Sequence, residues 1–250
     1  MERPYLCLLH GFPHDHTLWE PQVAGLKDDA QVIAPDLRGF GAGPEASAIV
    51  TMEEHAADIL RLLDERGVER VVLAGLSMGG YVALAFAANY PERLQGLVLC
   101  NTRANADTAE AAEGRRNTAK DALEKGMAVI ARGMLPKVLA ENTRVGDPGL
   151  AQRMEEMMAR QPAEGVAASS LGMAQRPDRT AMLPSIAVPT LIITGSEDSL
   201  MPLPTSEVLH HGIPGSRLVV IPGVAHLSNV EAPERFNAEV RNFIRSLSHA

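Results

Sequence analysis

Short runs of apolar, largely branched residues recur along the chain, each stopped by glycine, proline or a single polar residue. They fall at Tyr5 to Leu9, Gln31 to Ala34, 70–74, Leu94 to Cys100, Val188 to Thr194 and Arg217 to Ile221. Unbroken apolar runs of this length predict strands covered on both faces. Between them the period changes to that of a helix. Thr17 to Leu26 is expected to be helical, with Trp19 and Val23 facing the core. Thr51 followed three residues on by Glu54 predicts a capping box, opening a helix that runs to about Arg66 and stops at Gly67. Further helices are expected from Gly79-Gly80 to about Asn89, from Pro204 to His211, and from Pro233 to Leu247. From Asn101 to about Leu183 no strand-like run appears. Alanine, methionine and charged residues predict several helices there, interrupted near Gly133, Gly146-Asp147-Pro148-Gly149 and Gly165.

Strands alternating with helices imply an α/β fold with a mainly parallel, doubly wound sheet and right-handed crossovers. In such sheets chemistry gathers at the carboxyl ends of the strands. Six strand ends carry residues able to do chemistry: His10-Gly11, Asp36, Ser77, Asn101, Asp198 and His226. Of the eight histidines, His226 alone ends a strand in the C-terminal half.

Composition narrows the setting. At 250 residues the chain can build one large core, and 46% hydrophobic with 22% charged residues is a globular balance. A net charge of -8 argues against nucleic acid or an anionic membrane as partner. Cys7 and Cys100 lie inside apolar runs, so buried reduced thiols are expected rather than a disulfide. Met1-Glu2-Arg3-Pro4 leads straight into the first strand with no signal-peptide pattern, and no apolar run is long enough to span a bilayer. A cytoplasmic location is the expectation.

Residues 71–81, Val-Val-Leu-Ala-Gly-Leu-Ser-Met-Gly-Gly-Tyr, organise the rest. A strand ends in Gly75-Leu76-Ser77-Met78-Gly79, and an apolar helix follows. Gly-x-Ser-x-Gly in that context is a tight strand-to-helix turn that holds the serine strained and outward, with glycines where side chains would collide. The following helix points its N-terminus at the reacting centre, favouring negative charge there.

With His10-Gly11-Phe12-Pro13, Asp36-Leu37-Arg38-Gly39-Phe40-Gly41, Gly195-Ser196-Glu197-Asp198 and Gly223-Val224-Ala225-His226, this turn makes the chain resemble the α/β-hydrolase superfamily over essentially its whole length. The nucleophile, acid, histidine order matches as well. Within that superfamily it is similar to small serine esterases and enol-lactonase-like enzymes that carry a helical cap. The resemblance implies a core of residues 1–102 and 184–250 and a cap of 103–183. It also implies that the two leading strands of larger members are absent, since the chain opens on the strand leading to the oxyanion loop.

The resemblance implies these roles: Ser77 as nucleophile, His226 as general base and acid, and Asp198 as the carboxylate that orients the imidazole. The backbone N–H groups of Phe12 and Met78 are the expected oxyanion hole, where losing one donor typically costs on the order of 10²–10³ in rate. Glu197 is a rival acid whose side chain points elsewhere, and Asn101 occupies the acid position of some relatives but cannot carry the charge. Asp36 is expected to buttress the Arg38-Gly39 turn, and His10 to be packed. His14 and His16 flank Asp15, but no third metal ligand lies at a recognisable spacing, so neither metal nor organic cofactor is expected. His55, His210, His211 and His249 are read as solvated.

In the cap, Met127, Met134, Met154, Met157, Met158, Met173 and Met182 are expected mainly to pack its helices together, with a subset facing Ser77. Arg103, Arg115, Arg116, Arg176 and Arg179 are candidates to recognise a carboxylate but are expected mostly as surface charge. The expected reaction is hydrolysis of a small-molecule ester or lactone. The alternatives are an enol-lactonase or C–C bond hydrolase with the same triad, and a ligand-binding protein without turnover. A dehalogenase is disfavoured because it needs a carboxylate where Ser77 stands. A homodimer is an open arrangement.

Overall fold

A computed structural model describes residues 3–247 of the chain. Met1 and Glu2, at the start of the expected leaderless N-terminus, and His249 lie outside the described residues. Six strands, β1 (Tyr5–Leu9), β2 (Gln31–Ile33), β3 (Val71–Leu76), β4 (Leu94–Cys100), β5 (Thr190–Gly195) and β6 (Arg217–Ile221), form one sheet among the described residues. Its order is β2-β1-β3-β4-β5-β6, and every neighbouring pair is parallel. The expectation of a doubly wound sheet holds, with no antiparallel pair among these strands.

Successive side chains of a strand point to opposite faces, so each strand feeds two cores. Leu6, Leu8, Val72, Ala74, Val98, Leu191 and Ile193 pack on one face with Trp19 and Phe236. Cys7, Leu9, Val71, Leu73, Leu97, Leu99 and Ile192 pack on the other with Ile59, Leu63 and Phe86. The helices of the first face are α1 (Glu20–Leu26) and, at the end of the chain, a long amphipathic helix at Pro233–Leu247. The latter buries Phe236, Val240, Phe243 and Ile244, a stripe at helical spacing. Burying each such side chain is worth about 1.5–3 kcal/mol. On the second face lie α2 (Met52–Glu65) and α3 (Met78–Asn89), the latter buried from Met78 to Ala87.

The capping box at α2 is formed as expected: the Glu54 N–H donates to Thr51 Oγ1 at 3.2 Å and the Thr51 N–H to Glu54 Oε2 at 2.7 Å. The start of α1 differs from expectation. A 3₁₀ turn spans His16–Trp19, and Val23 is exposed while Gln22 is buried. Gln22, three residues after Trp19, takes the inward place because Asn229 waits there: its Nε2 donates to Asn229 O at 2.9 Å and its Oε1 accepts from Asn229 Nδ2 at 3.1 Å.

Between β4 and β5 the chain is helical, as the lack of branched runs implied. The helices are α4 (Ala109–Lys125), α5 (Met127–Val138), α6 (Glu141–Gly146), α7 (Pro148–Ala159) and α8 (Ala163–Ala174). The break at 146–149 falls where predicted. Gly133 and Gly165, by contrast, lie inside α5 and α8; the breaks come at Gly126, with φ +80°, and at 160–162. Gly165 serves a close approach instead, since a Cβ there would stand 1.7 Å from Gly39 O. Met127, Met154, Met157, Met158 and Met173 are buried, and Met134 and Met182 pack partly buried against the cores. After β5 come α9 (Leu203–Gly212) and, behind β6, α10 (Ser228–Glu231) and α11, the Pro233–Leu247 helix. Cys7 and Cys100 are buried free thiols, and burial pushes Cys7 up to about 12. Among the described residues no helix is long and apolar enough to cross a membrane.

One histidine departs from its expected environment. His211 is exposed and His210 half-buried, but His55 is fully buried in α2, with Nε2 3.4 Å from Ser169 Oγ of α8. Its position on the inward stripe of α2, beside Ala56 and Ile59, decides this. Burial, with nearby His10 acting in the same direction, pushes its imidazole down to about 3. An unfolded chain would protonate it near ~6.5. Below that pH the unfolded state binds a proton that the folded state refuses, so stability falls as the pH drops from about 6.5 toward about 3, with a slope of about one proton. Urea unfolding across that window should show the acid-side slope of His55→Leu reduced by about one proton relative to wild type; an unchanged slope would contradict the assignment.

Candidate active site

Ser77 stands between β3 and α3 with φ 55° and ψ -112°, a left-handed conformation rare for a residue with a side chain. The turn exists because strand, helix and neighbouring loop touch through missing Cβ atoms. A Cβ on Gly75 would lie 2.1 Å from Gly79 O, and one on Gly79 would lie 2.2 Å from Leu9 O. The Ser77 N–H donates to Cys100 O at 2.9 Å, and its carbonyl accepts from Thr102 Oγ1 at 2.8 Å. Backbone and flanks are thus held, while the hydroxyl forms no hydrogen bond with another of the described residues. Met78 opens α3, so its N–H has no partner within the helix.

The carboxyl ends of β5 and β6 supply the second cluster. His226 Nδ1 and Asp198 Oδ2 lie 2.8 Å apart, with His226 only 2% and Asp198 4% exposed. The same carboxylate oxygen accepts from Asn101 Nδ2 at 2.8 Å, and Oδ1 accepts from the N–H groups of Leu200 and Met201 at 2.9 Å each. Burial alone would raise the Asp198 carboxyl. The His226 charge and these hydrogen bonds outweigh it and hold the group below the usual carboxylate range. With Nδ1 engaged by the carboxylate, Nε2 is the ring nitrogen free to exchange a proton with a hydroxyl.

Asn101 is the residue whose part the sequence left unread. Read there only as an acid position lacking charge, it adopts φ 47° at the end of β4 and donates to both Asp198 and Ala225 O, the latter at 3.2 Å. Its Oδ1 accepts from Ser228 Oγ at 2.6 Å, so its amide orientation is determined. The signal for it was present, since an asparagine ending a strand tolerates the left-handed region.

The loop after β1 completes the set. The Phe12 N–H has no hydrogen-bond partner among the described residues, and the Phe12–Pro13 peptide is cis. His10 is buried as expected: Nε2 accepts from the Leu37 N–H at 3.0 Å, which places the proton on Nδ1, 2.9 Å from Gly11 O. Asp36 is structural, as expected, but braces the loop through Ala42 rather than at Arg38-Gly39 itself, the Arg38 side chain pairing with Asp58. Asp36 binds the His16 N–H at 2.7 Å and ring at 2.8 Å and the Ala42 N–H at 2.8 Å.

Asp36 also brings a third donor near Asp15 and His16, which spacing along the chain had hidden. These groups already satisfy one another or the protein. Asp15 is held bidentately by Arg160 at 2.9 Å per contact and by Gln161 Nε2 at 2.8 Å. The candidate carboxylate-binding arginines are engaged too: Arg103, Arg115 and Arg176 converge on Asp107, Arg116 pairs with Glu113, and Arg179 with Glu53. A cleft of about 710 Å³ borders α6 and α7 and one of about 750 Å³ borders α5 and α6, but neither is lined by Ser77, Asp198 or His226.

This arrangement coincides with known proteins. Residues 4–233 match the family model of the alpha/beta hydrolase fold. The chain is 30% identical to 3-oxoadipate enol-lactonase 1 of Acinetobacter baylyi over 98% of its own length and 90% of that protein's. A thermophilic esterase from Thermogutta terrifontis, solved with malate bound, superposes with a TM-score of 0.95 at 42% identity, covering 98% of this chain and 91% of that one. The enol-lactonase of Burkholderia xenovorans superposes at 0.92 with 28% identity, covering 98% and 92%. The chain therefore belongs to the alpha/beta-hydrolase fold family. Within it, this is an esterase- and enol-lactonase-like enzyme of the carboxylester-hydrolase class.

Asn101→Gly keeps the left-handed backbone but deletes the amide. Ester turnover is expected to fall about tenfold, the worth of a hydrogen bond to a charged group. The acid limb of the pH–rate profile should move to higher pH, because the Asp198 carboxyl loses a donor that lowers it. A profile superposable on wild type would refute this part for Asn101.

Proposed function

We propose that the chain hydrolyses small carboxylic esters through an acyl-Ser77 intermediate. The observation that carries the reading is the buried Asp198–His226 pair, closed by Asn101, at the same sheet edge as the strained Ser77 turn. Ser77 Oγ attacks the ester carbonyl while its proton passes to His226 Nε2, and the Asp198 carboxylate stabilises the imidazolium formed. The oxygen that becomes negative is received by the N–H groups of Phe12 and Met78, and the dipole of α3 adds to that stabilisation. Collapse breaks the C–O bond, and the leaving alkoxide takes the proton from His226. Water then attacks the acyl-serine, giving its proton to His226; the bond from the acyl carbon to Ser77 Oγ breaks, His226 returns that proton to Oγ, and the acid departs. Residues 103–183 act as the cap over this site, and the protein works in the cytoplasm on small-molecule substrates.

The enol-lactonase relatives support a second reading, in which the same steps open a lactone ring. Engagement of all five candidate arginines by acidic side chains weighs against their use for a substrate carboxylate. A protein that binds without turnover has no use for a buried carboxylate–imidazole pair beside a strained serine.

Ser77→Ala should lower turnover of p-nitrophenyl butyrate by about 10⁴-fold or more and abolish labelling by a fluorophosphonate. Retained turnover would sink the serine mechanism. Faster hydrolysis of short enol-lactones than of simple esters would favour the second reading.

A further inference from the structure

His14 sits in the loop that carries Phe12, two residues further on, and its N–H closes a turn on Gly11 O at 3.0 Å. The side chain is fully buried, and although the Gly11 carbonyl is close enough to favour its protonated form, neither Nδ1 nor Nε2 makes a hydrogen bond of normal geometry among the described residues. Other buried polar atoms are left unpartnered in this chain, but His14 alone among them is an imidazole with both nitrogens open. Burying such a ring unpaired is costly, which an apolar residue of similar size would avoid.

Its loop touches the proposed site, since a Cβ on Gly11, the residue on which the His14 N–H closes, would stand 3.4 Å from Ser77 Cβ. Burial pushes its imidazole down to about 3, with His10 and His226 acting in the same direction. It is therefore neutral throughout the working range, with one nitrogen a donor and the other an acceptor. The adjacent Asp15 is clamped by Arg160 and Gln161, from the connection between α7 and α8, which pins the backbone beside His14 and leaves neither cation nor carboxylate free to pair with the ring.

Resting on the acyl-serine reading above, we propose that His14 is a specificity-determining residue that hydrogen-bonds a neutral oxygen, a hydroxyl or keto group, carried by the substrate within a few bonds of the scissile ester. A neutral ring gives little to a carboxylate, and the arginines that could serve one are occupied. A plain alkyl chain would leave both nitrogens unpaired, and a site built around a buried polar group rejects a substrate that lacks the matching group.

The oxygen can lie on the acyl or the alcohol side, and isosteric ester pairs separate the two. On the acyl side methyl 3-hydroxybutyrate is compared with methyl 3-methylbutyrate; on the alcohol side 2-hydroxyethyl butyrate is compared with propyl butyrate. Wild-type enzyme should prefer the hydroxylated member of one pair by about tenfold or more in kcat/KM. His14→Leu should erase that preference, and His14→Gln, which keeps a donor and an acceptor, should restore most of it. Because the ring is neutral, the preference should stay constant from pH 6 to 9. No preference in either pair, or one that survives in His14→Leu, would overturn the proposal while leaving the serine mechanism intact. Should a variant fail to fold, the wild-type preference and its pH independence still decide. No hydrolysis of any of the four esters by wild type would overturn the small-ester reading and this proposal together, whereas absence of fluorophosphonate labelling of wild type is what would overturn the serine mechanism.

Discussion

The backbone of Ser77 is held in a conformation its side chain disfavours, and only close contact between β3, α3 and the loop after β1 can hold it there. Strain of this kind costs roughly 1–3 kcal/mol and persists where surrounding structure over-determines it. Here that surrounding is concrete. Gly75 meets Gly79 O, Gly79 meets Leu9 O, and Gly80 meets Thr102, each at a distance no Cβ could share. α3, buried from Met78 to Ala87, cannot slide away from the sheet without exposing its apolar surface. The cores on both faces of the sheet therefore contribute to the geometry of one side chain.

A second constraint is the buried charge of Asp198. A carboxylate shielded from water is tolerable only when its lone pairs are taken. Four groups take them: the His226 ring, the Asn101 amide and the N–H groups of Leu200 and Met201. Asn101 also reaches Ala225 O and is itself oriented by Ser228, so the ends of β4, β5 and β6 are tied into one polar network. Ser77 and Asn101 are the described non-glycine residues with positive φ, and they end adjacent strands. The sheet thus concentrates its backbone strain where the proposed chemistry occurs.

The helices between β4 and β5 are fastened to this edge rather than laid loosely over it. Arg160 and Gln161 grip Asp15, Gln161 also receives the Gly41 N–H at 3.0 Å, and Gly165 packs against Gly39. Any movement of the proposed cap is felt at the loop carrying Phe12 and His14. Arginines that the sequence offered for substrate recognition are used inside these helices instead. Arg176, for example, pairs with Asp107 at 2.9 Å and stacks over the Tyr81 ring at 4.0 Å.

Local pattern alone determined the order of strands and helices, the capping box at Thr51, the serine turn and the strand ends at which chemistry collects. These rest on period and backbone sterics, which act over a few residues. What faces what was decided only by the tertiary structure. Gln22 displaced Val23 because a distant asparagine paired with it, and Gly165 marked a contact rather than a helix break. His55 lost its solvent because it lies on the inward stripe of α2, where Ser169 of α8 comes within 3.4 Å of its ring. Asn101 was marked along the chain only as a strand end without an acid's charge, and His14 only as a neighbour of Asp15, because hydrogen-bond partners, or their absence, belong to segments brought together by folding.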